Sequence, residues 1–421
     1  MNQMSGNGRP NRCLKRFAGG LLAVLLLFAA SGCASGKLNL ARQSFYNGKL
    51  EHAAAVLGDG AEIAGRDRLL YFMEKGVIAH QQQDYKASIR MFRQAVALME
   101  ELSVISASRQ SGSLLTSERL TRYAGEYAER LWVHTYLMMN YLLLNEPEDA
   151  LVEARQALEL FSAHPDVLQS AEFTRALIAH CFEANGAYNG AFIEYKKLAM
   201  QLPDPAPVAD KLVWLARRLG FADAVEKYSA YLSETQKQAL RKGVSPELLV
   251  FVSQGRAPVK IPQNIVLPPS IRFSFVTYRE RTGSYRPPIA VPAGSGAYTS
   301  RVSTDLSKPL HASLKARAAK IIAKETARVA AKEAVSRQIE DDLLEIFVRA
   351  AFFIMEEPDT RCWQTLPAYW TLLRIHLPPG SPRSTALTVE SAGMRYRIPA
   401  LKAPRRFQYV AIREGLEGRT E

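Results

Sequence analysis

The sequence has no apolar run long enough to cross a membrane. The best candidate extends from Phe17 to Ala30, whereas a transmembrane helix needs roughly 20 consecutive apolar residues. Basic residues precede this run, small residues follow it, and no acidic residue occurs before Glu51. These features are typical of a secretory signal peptide, so residues 1–32 are predicted to be removed from the mature chain.

Cysteine is scarce, and one of the four cysteines has an informative position. Cys33 directly follows the small residues 30–32. This order resembles the bacterial lipobox, in which a peptidase cuts before a cysteine whose thiol carries a diacylglycerol, although Ala30 stands where that motif more often has leucine. We predict that Cys33 is lipidated and that residues 33–37 form a tether. A plain signal peptide with a chance cysteine is the alternative.

The residues after Cys33 bear on location. Alanine and serine follow it rather than aspartate, which by the same resemblance implies sorting to the cell outer membrane, with the lipid-anchored protein facing the periplasm. Acyl chains contribute about 0.8 kcal/mol per buried CH₂, so such an anchor is durable. An oxidising compartment also permits a disulfide between Cys181 and Cys362. Two buried free thiols are the alternative.

The mature chain lacks a strong charge imbalance. Loss of the basic signal peptide lowers the formal net charge from +13 to about +9. The anions available to an exported protein are lipid headgroups, lipopolysaccharide phosphates and peptidoglycan carboxylates, so the sequence predicts no nucleic-acid partner. A solvated basic surface without a specific partner is the alternative.

The sequence also lacks catalytic motifs. None of the seven histidines has a metal-binding spacing with a third ligand nearby, and HExxH, nucleophile-elbow and phosphate-loop motifs are absent. The acidic residues Glu340, Asp341 and Asp342 are interpreted as a solvated helix start. We therefore predict no catalytic residues, no metal and no cofactor, and a protein that is not an enzyme.

A repeated helical pattern fills the first half of the chain. The segments DYKASIRMFRQAVALME (84–100), PEDALVEARQALELF (147–161) and AYNGAFIEYKKLAMQLPD (187–204) share a small residue, a second pivot four residues later and a third after three more. Another helical pattern precedes each, so each unit is a helical hairpin. This layout resembles the tetratricopeptide repeat (TPR) of about 34 residues. We predict a TPR-like solenoid over residues 38–240.

Stacked repeats of this kind form a concave groove that often binds other chains. Tyr136, Asn140, Tyr141 and Arg155 are the candidate groove residues for a partner. Aromatic residues at helical spacing are more often part of a core, and that is the alternative for these positions.

The composition changes after Gly243. Short β-prone segments separated by proline and glycine indicate a β-sandwich-like domain over residues 244–421, with a helical pair inserted at about 311–357. The first inserted helix is rich in alanine and bases, including Lys320, Lys324 and Arg328. The overall fold class is therefore predicted to be α+β.

Four segments carry a resemblance that extends over most of the mature chain. They are EEPDTRCWQTLPAYWTLLRIHLPPG (356–380), APVKIPQNI (257–265), the inserted helix rich in Ala, Lys and Arg, and NYLLLNEPEDALVEARQALE (140–159). Together they resemble a family of uncharacterised bacterial outer-membrane lipoproteins that couple TPR-like repeats to a C-terminal β-rich domain, although Pro358 and Cys362 depart from the family's pattern. The resemblance implies a cell-envelope location and no established catalytic activity.

Within the first of these segments, Arg361 invites two interpretations. It could contact an anion, together with Lys320, Lys324 and Arg328 of the basic helix. An internal pair with Asp359 that fixes the turn is the alternative.

The sequence is compatible with two functions. The first is a protein–protein interaction scaffold that binds envelope protein partners through the repeat groove and supports assembly of an envelope complex. The second is a binding module for an envelope polymer, peptidoglycan or lipopolysaccharide, that uses a basic surface.

Overall fold

The structure is a computed structural model. It describes residues 32–108, 122–243, 246–267, 271–281, 289–290, 298–318, 358–376, 387–391, 394–398 and 406–414, and the single residues 323, 326, 327 and 416. Lys320, Lys324, Arg328 and nearly all of the predicted signal peptide lie outside the described residues. Within them, no helix is both long and apolar enough to cross a membrane.

The first half of the chain is helical. Its helices are α1 (Gly32–Tyr46), α2 (Leu50–Leu57), α3 (Arg68–Gln81), α4 (Tyr85–Ser108), α5 (Tyr127–Leu143), α6 (Pro147–Ala163), α7 (Pro165–Leu168), α8 (Glu172–Ala184), α9 (Tyr188–Gln201), α10 (Ala206–Leu219), α11 (Ala222–Ser229) and α12 (Glu234–Arg241), with a 3₁₀ turn at Gly65–Asp67. The predicted tether 33–37 is part of α1.

These helices pack as hairpins, and neighbouring hairpins stack. The pairs are α1–α2, α3–α4, α5–α6, α8–α9 and α10–α11, and α4 also packs on α5, as α9 does on α10. The three predicted pivot positions of each repeat are buried: Ser88, Phe92 and Ala95; Ala150, Ala154 and Ala157; Ala191, Tyr195 and Leu198. The helical hairpins and their buried pivots confirm the prediction of TPR-like repeats.

The small residue of the first repeat has a steric cause. A Cβ at Gly76 would lie 2.7 Å from the ring of Phe92, and the hydroxyl of Ser88 donates to the Gly76 carbonyl at 2.7 Å. Only glycine lets the two helices of this hairpin approach so closely.

The second half forms a small mixed sheet with two further ribbons. The strands are β1 (Glu247–Gln254), β2 (Val259–Leu267), β3 (Ile271–Arg279), β4 (Ile289–Ala290), β5 (Tyr298–Asp305), β6 (Tyr369–His376), β7 (Leu387–Ser391), β8 (Met394–Ile398) and β9 (Phe407–Arg413). The main sheet has the order β5-β6-β1-β9, while β2 pairs with β3, and β7 pairs with β4 and β8.

One detail differs from the predicted β-sandwich-like domain. A sandwich of consecutive hairpins is antiparallel, but β9 pairs in parallel with β1. The helix α13 covers residues 307–318 as far as it is described, near the predicted start of the insertion at about 311. The second helix of the predicted inserted pair lies outside the described residues.

The two faces of the main sheet have different neighbours because side chains alternate along a strand. Leu249, Phe251 and Leu372 belong to the cluster that contains the repeat helices. Leu248 and Val250, from the opposite face, pack with Val389 of β7 in a second cluster. One continuous core therefore extends across the predicted domain boundary, and a second core lies on the outer side of the sheet.

Candidate functional site: the filled concave surface

The first helices of the hairpins are buried on nearly every side. In α5 fourteen side chains are buried, whereas its partner α6 buries only Ala150, Ala154, Ala157 and Phe161. A helix that is apolar all round must be covered on both sides. The second helix of each hairpin covers one side of the first helix. Strands β5, β6 and β9 cover the opposite side through contacts with α5, α8 and α10.

Two tryptophans of the second half occupy the centre of this concave surface. Trp370 lies with its ring centroid 5.2 Å from that of Tyr136 and 5.4 Å from that of Phe173. Trp363 lies 5.7 Å from Tyr136 and 5.9 Å from Phe92. Aromatic pairs at such distances contribute about 0.5–1.5 kcal/mol each beyond area burial. The groove is therefore filled by the protein's own chain.

This arrangement corrects the candidate groove residues. Tyr136 does face the concave surface, but it is fully buried against the two tryptophans. Asn140 is also fully buried and joins repeats, since it contacts His80 at 2.6 Å and donates to Ser88 at 2.8 Å. Tyr141 is buried, and Arg155 lies on the exposed side of α6. None of the four lines an open groove.

A buried carboxylate of α3 holds the turn that precedes β6. Glu74 accepts from Arg42 at 2.7 Å and from the backbone N–H groups of Gln364 and Thr365 at 3.1 and 3.2 Å. Arg42 also donates to the Cys362 carbonyl at 3.3 Å. Burial would lower the pKa of Arg42, but the charge and hydrogen bond of Glu74, together with Cys362 and Tyr123, raise it.

A second buried acid, in α5, binds the same segment. Glu129 accepts from the N–H of Trp363 at 2.8 Å and closes a capping box with the N–H of Glu126 at 2.8 Å. Burial raises the pKa of Glu129. Burial would also raise the pKa of Glu126, but Lys260 and Arg317 reverse this and lower it to about 2. The pKa values of the two neighbouring carboxylates are thus shifted in opposite directions.

A third cluster joins α8 and α10 to the sheet. Glu183 accepts from Lys211 at 2.8 Å, from Arg406 at 2.6 Å and from Tyr195 at 3.1 Å. Burial would raise the pKa of Glu183, but Lys211, Arg374 and Arg406 lower it to about 2. Lys211 continues the network to Glu247 of β1. Buried charges of both signs are therefore paired across the junction.

Arg361 makes internal contacts. Its guanidinium donates to both carboxylate oxygens of Asp359, at 2.7 and 2.8 Å, and to Asp67 at 3.1 Å. It also donates to the Arg66 carbonyl at 3.0 Å. The predicted anion contact is thus taken by two carboxylates of the chain itself, in line with the alternative of an internal Asp359 pair.

Cys181 in α8 and Cys362 beside Arg42 are free and buried, in line with the alternative of two buried thiols. Across the described ranges, no group of three His, Cys, Asp or Glu side chains could hold a metal ion.

His80 provides a pH test of the filled surface. Burial lowers its pKa to about 4, although the hydrogen bond to Asn140 opposes this shift. The unfolded chain binds this proton near pH 6.5 and the folded chain only near pH 4, so the folded state loses stability as the pH falls across that window. We expect the substitution His80→Gln, which keeps a donor for Asn140, to remove about 2 kcal/mol of this pH dependence.

The measurement for His80 is urea unfolding of both proteins at pH 7, 6, 5 and 4.5. Glu126 and Glu183 are present in both proteins, so their contributions to the pH dependence cancel in the comparison. Parallel pH profiles for the two proteins would show that His80 titrates normally and is not desolvated.

Comparisons with known proteins add little beyond the repeat pattern. No protein-family model and no curated protein matches the chain. Similar solved structures include MamA from Desulfovibrio magneticus RS-1, 13% identical with a TM-score of 0.34 over 50% of this chain and 97% of that one. YrrB, a TPR protein with an unusual peptide-binding site, is 14% identical, with a TM-score of 0.35 over 50% of this chain and 92% of that one.

A kinesin light chain with TPR-like repeats from Podosopora anserina is 17% identical, with a TM-score of 0.32 over 48% of this chain and 96% of that one. All three TM-scores are below 0.5, so these likenesses carry no inference about function. The TPR-like repeats are established here by the chain's own hairpins.

Sequence reasoning missed that the second half fills the groove. One signal was available. The sequence YAERLWVHTYLMMNYLL of α5 is apolar almost all round, which is typical of a helix enclosed by protein and not of one that lines an open groove.

Proposed function

We propose that the protein is an interaction scaffold of the cell envelope, held at the outer membrane by lipid on Cys33 and facing the periplasm. The sequence of residues 17–33 supports the location. Because the sheet fills the concave surface, the proposed partner surface lies on the exposed second helices. A row of exposed apolar side chains on these helices is the observation that carries the proposal.

This outer row consists of Val152 on α6, Ile193 and Met200 on α9, and Phe221 before α11. Val152, Ile193 and Met200 are 54%, 43% and 68% exposed. Val152 and Ile193 each lie two residues after the opening small residue of their repeat, so stacking brings them to equivalent places. Ile193 and Met200 lie seven residues apart, which puts them on one helix face.

A single exposed apolar residue needs no explanation, but a row of them marks an interaction site. Lys196 and Lys197 are exposed beside the row on α9. The partner surface that fits is therefore apolar with an acidic rim. We propose that an envelope protein with such a surface binds the outer row.

A photo-crosslinking amino acid placed at Ile193 or Met200 in cells tests this proposal. We expect a discrete protein adduct from these positions. Arg90 is the matched control, because it is exposed on α4 at the position equivalent to Val152 and Ile193 but is charged. The double substitution Ile193→Lys and Met200→Lys should abolish association while leaving the unfolding temperature unchanged, since both side chains are exposed. Equal adducts from Arg90 and Ile193, or none from either, would contradict the outer-row proposal.

The anchor is tested in the same cells. Cys33→Ser should remove the protein from the outer-membrane fraction and reduce the adduct at Ile193. Retention of the Cys33→Ser protein in the outer-membrane fraction would contradict anchoring through this cysteine.

A further inference from the structure

A cavity of about 130 Å³ lies where four parts of the chain meet. Its walls come from the loop before α5, the β2–β3 ribbon, the helix α13 and the segment that carries Asp359: Arg122, Tyr123, Ala124, Gly125, Glu126, Lys260, Val276, Leu314, Arg317 and Asp359. One water occupies about 30 Å³ in the liquid, so the cavity has room for a small polyatomic group. Sites between structural units are common places for ligands.

The charges around this cavity are sorted by depth. The Arg122 side chain is 54% exposed and Arg317 is partly exposed, whereas Glu126 is only 1% exposed. Asp359 is largely buried and is held by Arg361. A ligand that enters therefore meets guanidinium groups first, and the carboxylates lie behind them.

Both carboxylates already take part in ion pairs, although the second oxygen of Glu126 is buried without a hydrogen-bond partner. One oxygen of Glu126 accepts from both Lys260 and Arg317, at 2.5 and 2.9 Å, and Asp359 accepts Arg361 through both of its oxygens. Arg122, in contrast, donates one N–H group to the exposed Glu101 at 2.7 Å. A guanidinium carries five donors in a planar fork that matches a carboxylate or a phosphate.

We propose that this cavity binds a small oxyanion, the carboxylate or phosphate group of an envelope molecule, with Arg122 at its entrance and Lys260 and Arg317 behind. Glu101 competes with the ligand for Arg122. The proposal goes beyond the scaffold function and does not involve the outer row. The proposed anion site does not include Arg361, because that guanidinium is paired with Asp359 and Asp67.

Isothermal titration of the full mature chain with inorganic phosphate, and separately with acetate, tests the site at constant pH and ionic strength. We expect Arg122→Ala to weaken binding about fivefold. Glu101→Gln should tighten binding about twofold, because it frees Arg122 from an exposed pair that itself contributes little stability. Arg241→Ala removes an exposed arginine from α12 and is the matched control, with no expected change.

The opposite responses of Arg122→Ala and Glu101→Gln separate a ligand site from a purely structural pair, since loss of a structural pair would affect both variants alike. Absence of binding for both anions, or equal weakening by Arg122→Ala and Arg241→Ala, would overturn the proposal. Sedimentation with purified peptidoglycan that depends on Arg122 would assign the anion to the polymer, while small-anion binding without it would assign a free anion. Crosslinking at Ile193 should be unaffected by Arg122→Ala, so failure of this site and failure of the scaffold function are distinguishable.

Discussion

Replacing Trp370 with alanine is expected to lower the free energy of unfolding by about 3–5 kcal/mol, the usual cost of a large buried aromatic side chain. Trp370 is fully buried between the sheet and the repeats. Its ring contacts Trp132, Tyr136 and Phe173, and its indole N–H donates to Ser253 at 2.9 Å. The cavity left by alanine would therefore lie in the centre of the shared core, and both halves should lose stability together.

The matched control for Trp370→Ala is Trp214→Ala. Trp214 is only partly buried on α10 and packs edge-on to Tyr188, so its loss should cost clearly less. Urea unfolding is followed by far-ultraviolet circular dichroism for the helices and by proteolysis for the sheet. Equal losses in the two variants, or a repeat domain that unfolds at the wild-type midpoint in Trp370→Ala, would show that the halves do not share a core.

Replacing Glu183 with glutamine should cost about 3–5 kcal/mol, because it leaves buried cations without their carboxylate. Lys211 and Arg406 both donate to Glu183, and the Glu183 side chain is completely buried. Since its pKa is lowered to about 2, Glu183 stabilises the folded state fully above about pH 4.5, and this contribution is lost as the pH falls towards 2. The variant should lack that part of the acid sensitivity.

Glu234→Gln is the control for this charge effect. Glu234 lies at the exposed start of α12 and pairs with Lys237, and such exposed pairs contribute little to stability. Urea unfolding at pH 7 measures the loss of stability in each variant, and the comparison with pH 3 measures its acid sensitivity. If Glu183→Gln proves as mild as Glu234→Gln at pH 7, the buried network does not bind the repeats to the sheet.

The repeats could be predicted because their signal is local. The pivots around Ser88, Ala150 and Ala191 recur at a spacing that fixes which side of each helix is buried, and all of them are buried. The apolar sequence of β1 was also visible as a β-prone segment. What a strand pairs with is not local, and nothing in the apolar run of β1 indicates that its parallel neighbour begins at Phe407.

The candidate site was predicted only in part. Tyr136 faces the concave surface as proposed, yet the sequence does not indicate that Trp363 and Trp370 cover it, because these residues come from the far end of the chain. The pairing of Asp359 with Arg361 could be predicted because the two residues lie only two positions apart. The contact of Arg361 with Asp67 could not be predicted, since residues so far apart in the sequence leave no periodic pattern.

The parallel pairing of β1 with β9 has a consequence for biosynthesis. The main sheet is complete only when Phe407–Arg413 has been made, and at translation rates of 5–20 residues per second this is roughly 10–50 s after α5 has left the ribosome. During that interval the apolar inner side of α5 has no cover. Folding is therefore expected to begin late and to involve both ends of the chain at once, with a holding chaperone protecting the repeats until the last strand arrives.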